Sequence, residues 1–365
     1  MVVAPKSLAQ VAARVEARLR VLLEAEAQRW SQLDQDLAQP FGELSRLVLS
    51  GGKRLRPAFC FWGFVGAGGD PLDEHVIDAG AAFELMHACA LFHDDVMDGS
   101  LTRRGAPTTH EAYGAQHIAQ KLAGESRRFG EGAAILIGDL SFVYSDQLLA
   151  GASPQVWRIW NELRIELNIG QYLDLLGSAN SERSIAKAER ICRYKSGKYT
   201  VERPLQLGAM LAVPQSQPGA PLQDGATQRT AELLAALSQI GLPLGDAFQM
   251  RDDVLGALGE SVVTGKPVGD DLREGKPTPL MAIATANASA AQLKVLQLVG
   301  AARLTDAQVA DVQQVLVDTG AVTQLEARIR SNTDAALGAI AAAPITQEAR
   351  DALTELAHFV SWRNN

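Results

Sequence analysis

The 365-residue chain is short of the residues that staple, stack or anchor a protein. Its three cysteines, Cys60, Cys89 and Cys192, are an odd number and lack metal-ligand spacing. That argues against a disulfide framework or a thiolate metal site and for reduced thiols in the cytoplasm. Aromatic residues make up 5% of the chain, too few for a cavity walled by rings. No run of roughly 18 apolar residues occurs, so no membrane span is expected. Cations are outnumbered: 34 Lys and Arg face 42 Asp and Glu, and the net charge of -8 argues against a general nucleic-acid binder. Strand-like alternation between hairpin turns is scarce.

What the sequence has is helix. Ala, Leu, Glu, Gln and Arg dominate, and apolar residues recur every three or four positions, as in VAARVEARLRVLLEAEA and TAELLAALSQIGLPLGDAFQM. The start predicts an amphipathic helix over about 6–30 and not a signal peptide, because Glu16, Glu24 and Glu26 interrupt any apolar core. Gly and Pro mark loops at 66–74, 213–227 and 259–279. The 213–227 stretch is the one candidate linker, but the motifs on its two sides look like halves of one site. The expectation is a single all-α domain over 1–365, without a fixed-period repeat.

Residues 93–105 read HDDVMDGSLTRRG and follow the apolar run FELMHACALF. On a helix Asp94 and Asp98 share a face, with Asp95 about 100° away from Asp94. Such a pair repels itself unless a cation bridges it, and carboxylate oxygens suit Mg²⁺, which takes further ligands from water and phosphate. A solvated acidic helix end is the bland alternative, but acids belong at helix starts, where the dipole favours them. His87 lies on nearly the same stripe, roughly 10 Å along the axis. Arg103 and Arg104 follow a Gly-Ser loop, and arginine suits bidentate contact with phosphate.

A second apolar segment, GDAFQMRDDVLG at 245–256, delivers Asp252 and Asp253, with Gln249 one turn before Asp253. The cations come in three further groups: Lys53 and Arg56 in GGKRLRP, Lys195, Ser196 and Lys198 in YKSGKYT, and Lys266 and Lys276 in TGKPVGDDLREGKPT. Each tract alone is a solvated loop as readily as a site. Together they fit two diphosphates, one held through metal and one mainly by side-chain cations.

These motifs, in this order from GGKRLRP at 51–57 to GDDLREGKPT at 269–278, resemble the trans-isoprenyl diphosphate synthases, or polyprenyl synthetases, and most of all the geranylgeranyl diphosphate synthases of actinobacterial type. The resemblance implies an isoprenoid synthase-type helical bundle around a central cavity, a homodimer in the cytoplasm, and about three Mg²⁺ ions per site, with Mn²⁺ as a substitute. It implies that an allylic diphosphate (dimethylallyl, geranyl or farnesyl) ionises and is attacked by isopentenyl diphosphate. Asp94, Asp98 and Asp252 then match metal ligands, with Asp95, Asp253 and Gln249 in support. Lys53, Arg56, His87 and Arg104 match the isopentenyl diphosphate site. Arg103, Lys195, Ser196, Lys266 and Lys276 match the allylic site, and Gln171 and Asp174 of GQYLDL line the cavity. There is one departure: Gly256 stands where the second motif usually has a third aspartate.

Product length is expected to depend on Met86, Cys89 and Ala90, within two turns before Asp94. Family members that stop at fifteen carbons often carry aromatic residues there; small Cys89 and Ala90 imply a C20 product, geranylgeranyl diphosphate. A farnesyl (C15) or longer-chain synthase is the alternative. A class I terpene cyclase is disfavoured by GGKRLRP, TRRG and the few aromatics, and a non-catalytic subunit by the retained aspartates and lysines. The role of 121–132 is open between a mobile loop and plain surface.

Overall fold

The structure, a computed structural model, describes residues 4–214, 224–259, 269–301 and 304–362. Helices dominate, as expected, and the chain divides into two compact units.

One unit comprises Lys6–Phe61 and Pro71–Ala152. Its first helix, α1 (Lys6–Leu33), buries Leu8, Val11, Val15, Leu19 and Leu23, the three- and four-residue spacing that a single apolar stripe requires. α2 (Ala38–Leu49) and the start of α3 (Leu55–Gly66) follow. α4 (Glu74–Asp98) is buried nearly all round, from Val76 to Phe92, and α1, α2 and α6 (Ser126–Leu148) pack against it. Asp73 caps its start by accepting from the His75 N–H at 2.8 Å. Gly99, at φ 63°, closes its end in the left-handed conformation that glycine favours. Ser141 of α6 donates to the Leu85 carbonyl at 2.7 Å, satisfying a buried hydroxyl at the α4–α6 contact.

Among the described residues the strand content is a two-residue ladder, Thr102–Arg103 against Ala106–Pro107. Arg104 and Gly105 turn it with φ of 53° and 75°, the positive pair that a tight two-residue hairpin needs. α5 (Thr109–Ala119) comes next. The 121–132 stretch is a turn at Lys121 leading into the first turns of α6.

The other unit comprises Trp62–Asp70 and the chain from Ser153 onward, with the first five residues. α7 (Pro154–Ala179) starts with Ser153 accepting from the Val156 N–H at 3.3 Å. α8 (Ile185–Ile191) runs into an 11-residue π-helix, Cys192–Glu202, and then α9 (Arg203–Leu211). α10 (Asp224–Leu258) and Ala321–Ala342 form the centre of this unit's core. Of the expected 213–227 loop, 215–223 lie outside the described residues, as do 260–268 of the 259–279 loop.

The π-helix was not legible in the sequence, and its neighbours give the physical reason that it fits. A Cβ on Gly170 of α7 would lie 2.3 Å from the Lys195 nitrogen. On α10, a Cβ on Gly241 would lie 2.5 Å from Glu202 Cα, and one on Gly245 would lie 2.5 Å from the Gly197 oxygen. Bare backbone on both flanking helices therefore lets the wider winding pack closely.

Candidate active site

In the first unit, Asp94, Asp95 and Asp98 fall in the last turn of α4, where the helix dipole opposes negative charge. Arg103 answers part of that charge. Its Nε donates to both Asp95 carboxylate oxygens at 2.8 and 2.9 Å, and its Nη2 lies 2.6 Å from Oδ1. The same Nη2 is 4.0 Å from Asp94 Oδ2. Asp95 is thus buried on an arginine, while Asp94 and Asp98 stay partly exposed on one face.

The GGKRLRP loop presents its cations unequally. Gly51 and Gly52 have φ of 100° and 137°, followed by Arg54 at 49°. Lys53 is exposed and Arg56 partly so. Arg54 is buried, paired with Glu84 and donating to the Val48 carbonyl at 2.7 Å. Arg104 reaches back to the same loop: its Nη1 donates to the Leu47 and Gly51 carbonyls at 3.2 and 2.7 Å and to Ser50 Oγ at 2.8 Å. Burial, then Arg56, Arg104, Arg103 and Arg54, push His87 well below the ordinary histidine range, so its imidazole is neutral. Sequence reasoning missed Arg54 and Glu84; the available signal was that Glu84 lies one turn before His87 on the same stripe of α4.

Of the proposed chain-length residues, Met86 and Cys89 are buried and Ala90 is partly exposed. Cys89 Sγ lies 3.9 Å from His93 Nδ1, and burial followed by Asp139 pushes the thiol up to about 12.

In the second unit, the π-helix, α7 and α10 bring the remaining residues together. Lys195 donates to Asp174, one turn beyond Gln171 on α7. Ser196 is partly buried. Lys198 pairs with Glu166, which also holds Arg203 at 2.7 Å, so this lysine serves the scaffold. On α10, Gln249 donates to Asp253 Oδ1 at 2.9 Å. Asp253 is 5% exposed, and its Oδ2 has no hydrogen-bond partner among the described residues. Burial raises its carboxyl well above the usual range; Asp271, Asp252 and Asp174 raise it further, against the hydrogen bond from Gln249. Lys276 sits 2.6 Å from Glu274 and 3.9 Å from Asp271. Lys266 lies outside the described residues.

The departure at Gly256 has a structural counterpart. A Cβ there would lie 1.9 Å from Asp271 Oδ2, so the carboxylate of GDDLREGK fills the space where a side chain at 256 would begin.

The donor chemistry fits Mg²⁺. The oxygens are hard, and a buried unpartnered carboxylate oxygen ringed by like charges is an atom that a cation would satisfy. Among the described residues no three His, Cys, Asp or Glu side chains close into a ready-made metal cage. Open carboxylate pairs suit an ion that completes its shell with water and phosphate.

The polyprenyl synthetase sequence pattern matches residues 39–318. Over its fold the chain is similar to geranylgeranyl pyrophosphate synthase from Corynebacterium glutamicum, solved with isoprenyl diphosphate and magnesium: TM-score 0.87 and 34% identity, covering 98% of this chain and 99% of that one. In sequence it is 28% identical to geranylfarnesyl diphosphate synthase of Aeropyrum pernix, covering 87% of this chain and 92% of the relative. It is 30% identical to nonaprenyl diphosphate synthase of Mycobacterium tuberculosis, covering 77% and 72%. With those motifs on those helices, the chain belongs to the polyprenyl synthetase family of trans-prenyltransferases.

Proposed function

We propose that the protein condenses isopentenyl diphosphate with an allylic diphosphate, in the presence of Mg²⁺, to give an all-trans prenyl diphosphate, with geranylgeranyl diphosphate (C20) as the main product. The observation that carries this reading is the contrast of two anion-holding devices. One unit gathers Arg56, Arg103 and Arg104 around His87, with Arg54 tied to Glu84 beside them. The other gathers Asp174, Asp252, Asp253 and Asp271 beside Lys195 and Lys276.

Bound Mg²⁺ supplies Lewis-acid stabilisation of the departing diphosphate. Asp94, Asp98 and Asp252 are the proposed ligands, with Asp95 and Arg103 holding each other in place beside them. Lys53, Arg56, His87 and Arg104 bind isopentenyl diphosphate, and the neutral imidazole adds no charge to an already cationic cluster. Arg103, Lys195, Ser196, Lys266 and Lys276 hold the allylic diphosphate, and Gln171, Asp174, Asp253 and Gln249 support that end. Catalysis is positioning and electrostatic stabilisation. No side-chain base is needed, because the released diphosphate takes the proton.

Small Cys89 and Ala90 support C20, with Met86, Phe83 or a residue from another helix as the floor. The likeness to geranylfarnesyl and nonaprenyl synthases favours a longer product as the second reading. A cytoplasmic homodimer completes the proposal. No described helix is long and apolar enough to cross a membrane. α6 leaves Phe129, Leu136 and Val143 exposed at seven-residue intervals, and α7 leaves Ile165, Ile169, Tyr172 and Leu176 exposed in a similar stripe. Stripes of this kind are covered in an oligomer more often than left in water.

The test is a product assay with labelled isopentenyl diphosphate and each of the three allylic primers. C20 products that vanish on chelation and return with Mg²⁺ support the whole reading. C15 or much longer products keep the chemistry and move the floor of the cavity. No incorporation from any primer by folded protein overturns it.

A further inference from the structure

GGKRLRP carries three cations, and the structure does not use them alike. Lys53 is exposed, whereas Arg54, its neighbour, is 5% exposed and has the left-handed φ of 49° that a branched-out L residue rarely adopts. Two contacts hold it there. One guanidinium nitrogen pairs with Glu84, itself 5% exposed, and another donates to the Val48 carbonyl at 2.7 Å. The tether therefore runs from the far side of the glycine turn, at Val48, through Arg54 to the buried face of α4.

Glu84 also stands where its charge reaches the rest of the cluster. It favours the charged form of Arg104, opposing the burial and the neighbouring Arg54 and Arg103 that lower that group. Arg104 in turn is bound to the carbonyls of Leu47 and Gly51 on the same loop. On α4, Glu84 precedes His87 by one turn, so one helix face carries the loop tether and the imidazole together.

We infer that Arg54 and Glu84 are positioning residues for isopentenyl diphosphate: their buried pair locks the left-handed turn that presents Lys53 and Arg56. The inference rests on the function proposed above and adds two residues to it. Losing the pair should weaken the hold on isopentenyl diphosphate while leaving the allylic substrate and the chemical step alone.

The experiment uses the full-length enzyme. Steady-state kinetics and calorimetric titration with isopentenyl diphosphate compare the wild type with Glu84→Gln, which keeps the side-chain shape and removes the charge. We expect KM and Kd for isopentenyl diphosphate to rise about tenfold or more, with kcat and the allylic KM within about twofold. Arg54→Gly separates the turn from the tether, since glycine adopts positive φ without strain; we expect it to match Glu84→Gln. Arg54→Lys retains a cation for Glu84 and should recover part of the loss, which also serves if Glu84→Gln folds poorly. An unchanged KM and Kd in Arg54→Gly, or a fall in kcat with both KM values unchanged, overturns the inference. A wild type that binds isopentenyl diphosphate but makes no product overturns the proposed function separately.

Discussion

The two polar clusters are opposites in the charge that surrounds their buried titratable group. Around α4, His87 is pushed well below the ordinary histidine range, first by burial and then by Arg56, Arg104, Arg103 and Arg54. Around α10 and the π-helix, Asp253 is raised, first by burial and then by Asp271, Asp252 and Asp174, and one of its oxygens has no hydrogen-bond partner among the described residues. In the proposed function isopentenyl diphosphate would be met mainly by side-chain cations, whereas Asp252 on α10, like Asp94 and Asp98 at the end of α4, would act on the allylic diphosphate through metal.

The sharpest way to break that contrast is to remove charge from the carboxylate sets. Asp94→Asn and Asp252→Asn are each expected to cut kcat on the order of 10²–10³-fold, with higher Mg²⁺ concentration restoring part of the rate. A loss indifferent to Mg²⁺ would mean that neither aspartate serves through metal. Next in size is a change of product. Ala90→Phe should shorten the main product to C15 or less while elongation continues, as read by sizing dephosphorylated alcohols. An unchanged product would take Ala90 out of the cavity wall.

Smaller effects are expected from the backbone and from pH. Gly256→Asp should destabilise the fold by about 1–3 kcal/mol through overpacking, because its Cβ falls 1.9 Å from Asp271 Oδ2. Thermal unfolding should show Gly256→Asp combined with Asp271→Ala to be more stable than the single variant; equal melting of the two would show that the crowding is relieved elsewhere. His87 gives the mildest signal. Its folded pKa is lowered, so below about pH 6.5 the unfolded chain binds a proton that the folded chain refuses. Its contribution is therefore complete above that pH and declines as pH falls, by up to about 1.4 kcal/mol per unit. His87→Gln should flatten that part of the stability curve, and an unaltered slope would assign the acid sensitivity to other groups.

Much of this was legible in the sequence. Spacing alone gave α1, and the apolar runs before Asp94 and Asp252 gave the helices that carry the carboxylates. What was hidden has a common cause: it is decided by residues distant in sequence. The π-winding of Cys192–Glu202 is permitted by Gly170, Gly241 and Gly245 on other helices. Nothing in GGKRLRP says that Arg54 turns inward; Glu84, thirty residues away, decides that. Asp95 reads as one more acid of its cluster until Arg103 is seen to occupy both its oxygens.

The carboxylate lying over Gly256 also bears on how this sequence can change. A side chain at 256 would begin 1.9 Å from Asp271 Oδ2, the far end of a side chain that can turn, so a third aspartate there requires Asp271 to adopt another rotamer. The placing of Asp271 over bare backbone is thus a consequence of the glycine, and a change at 256 would be read first as a new direction for the Asp271 carboxylate.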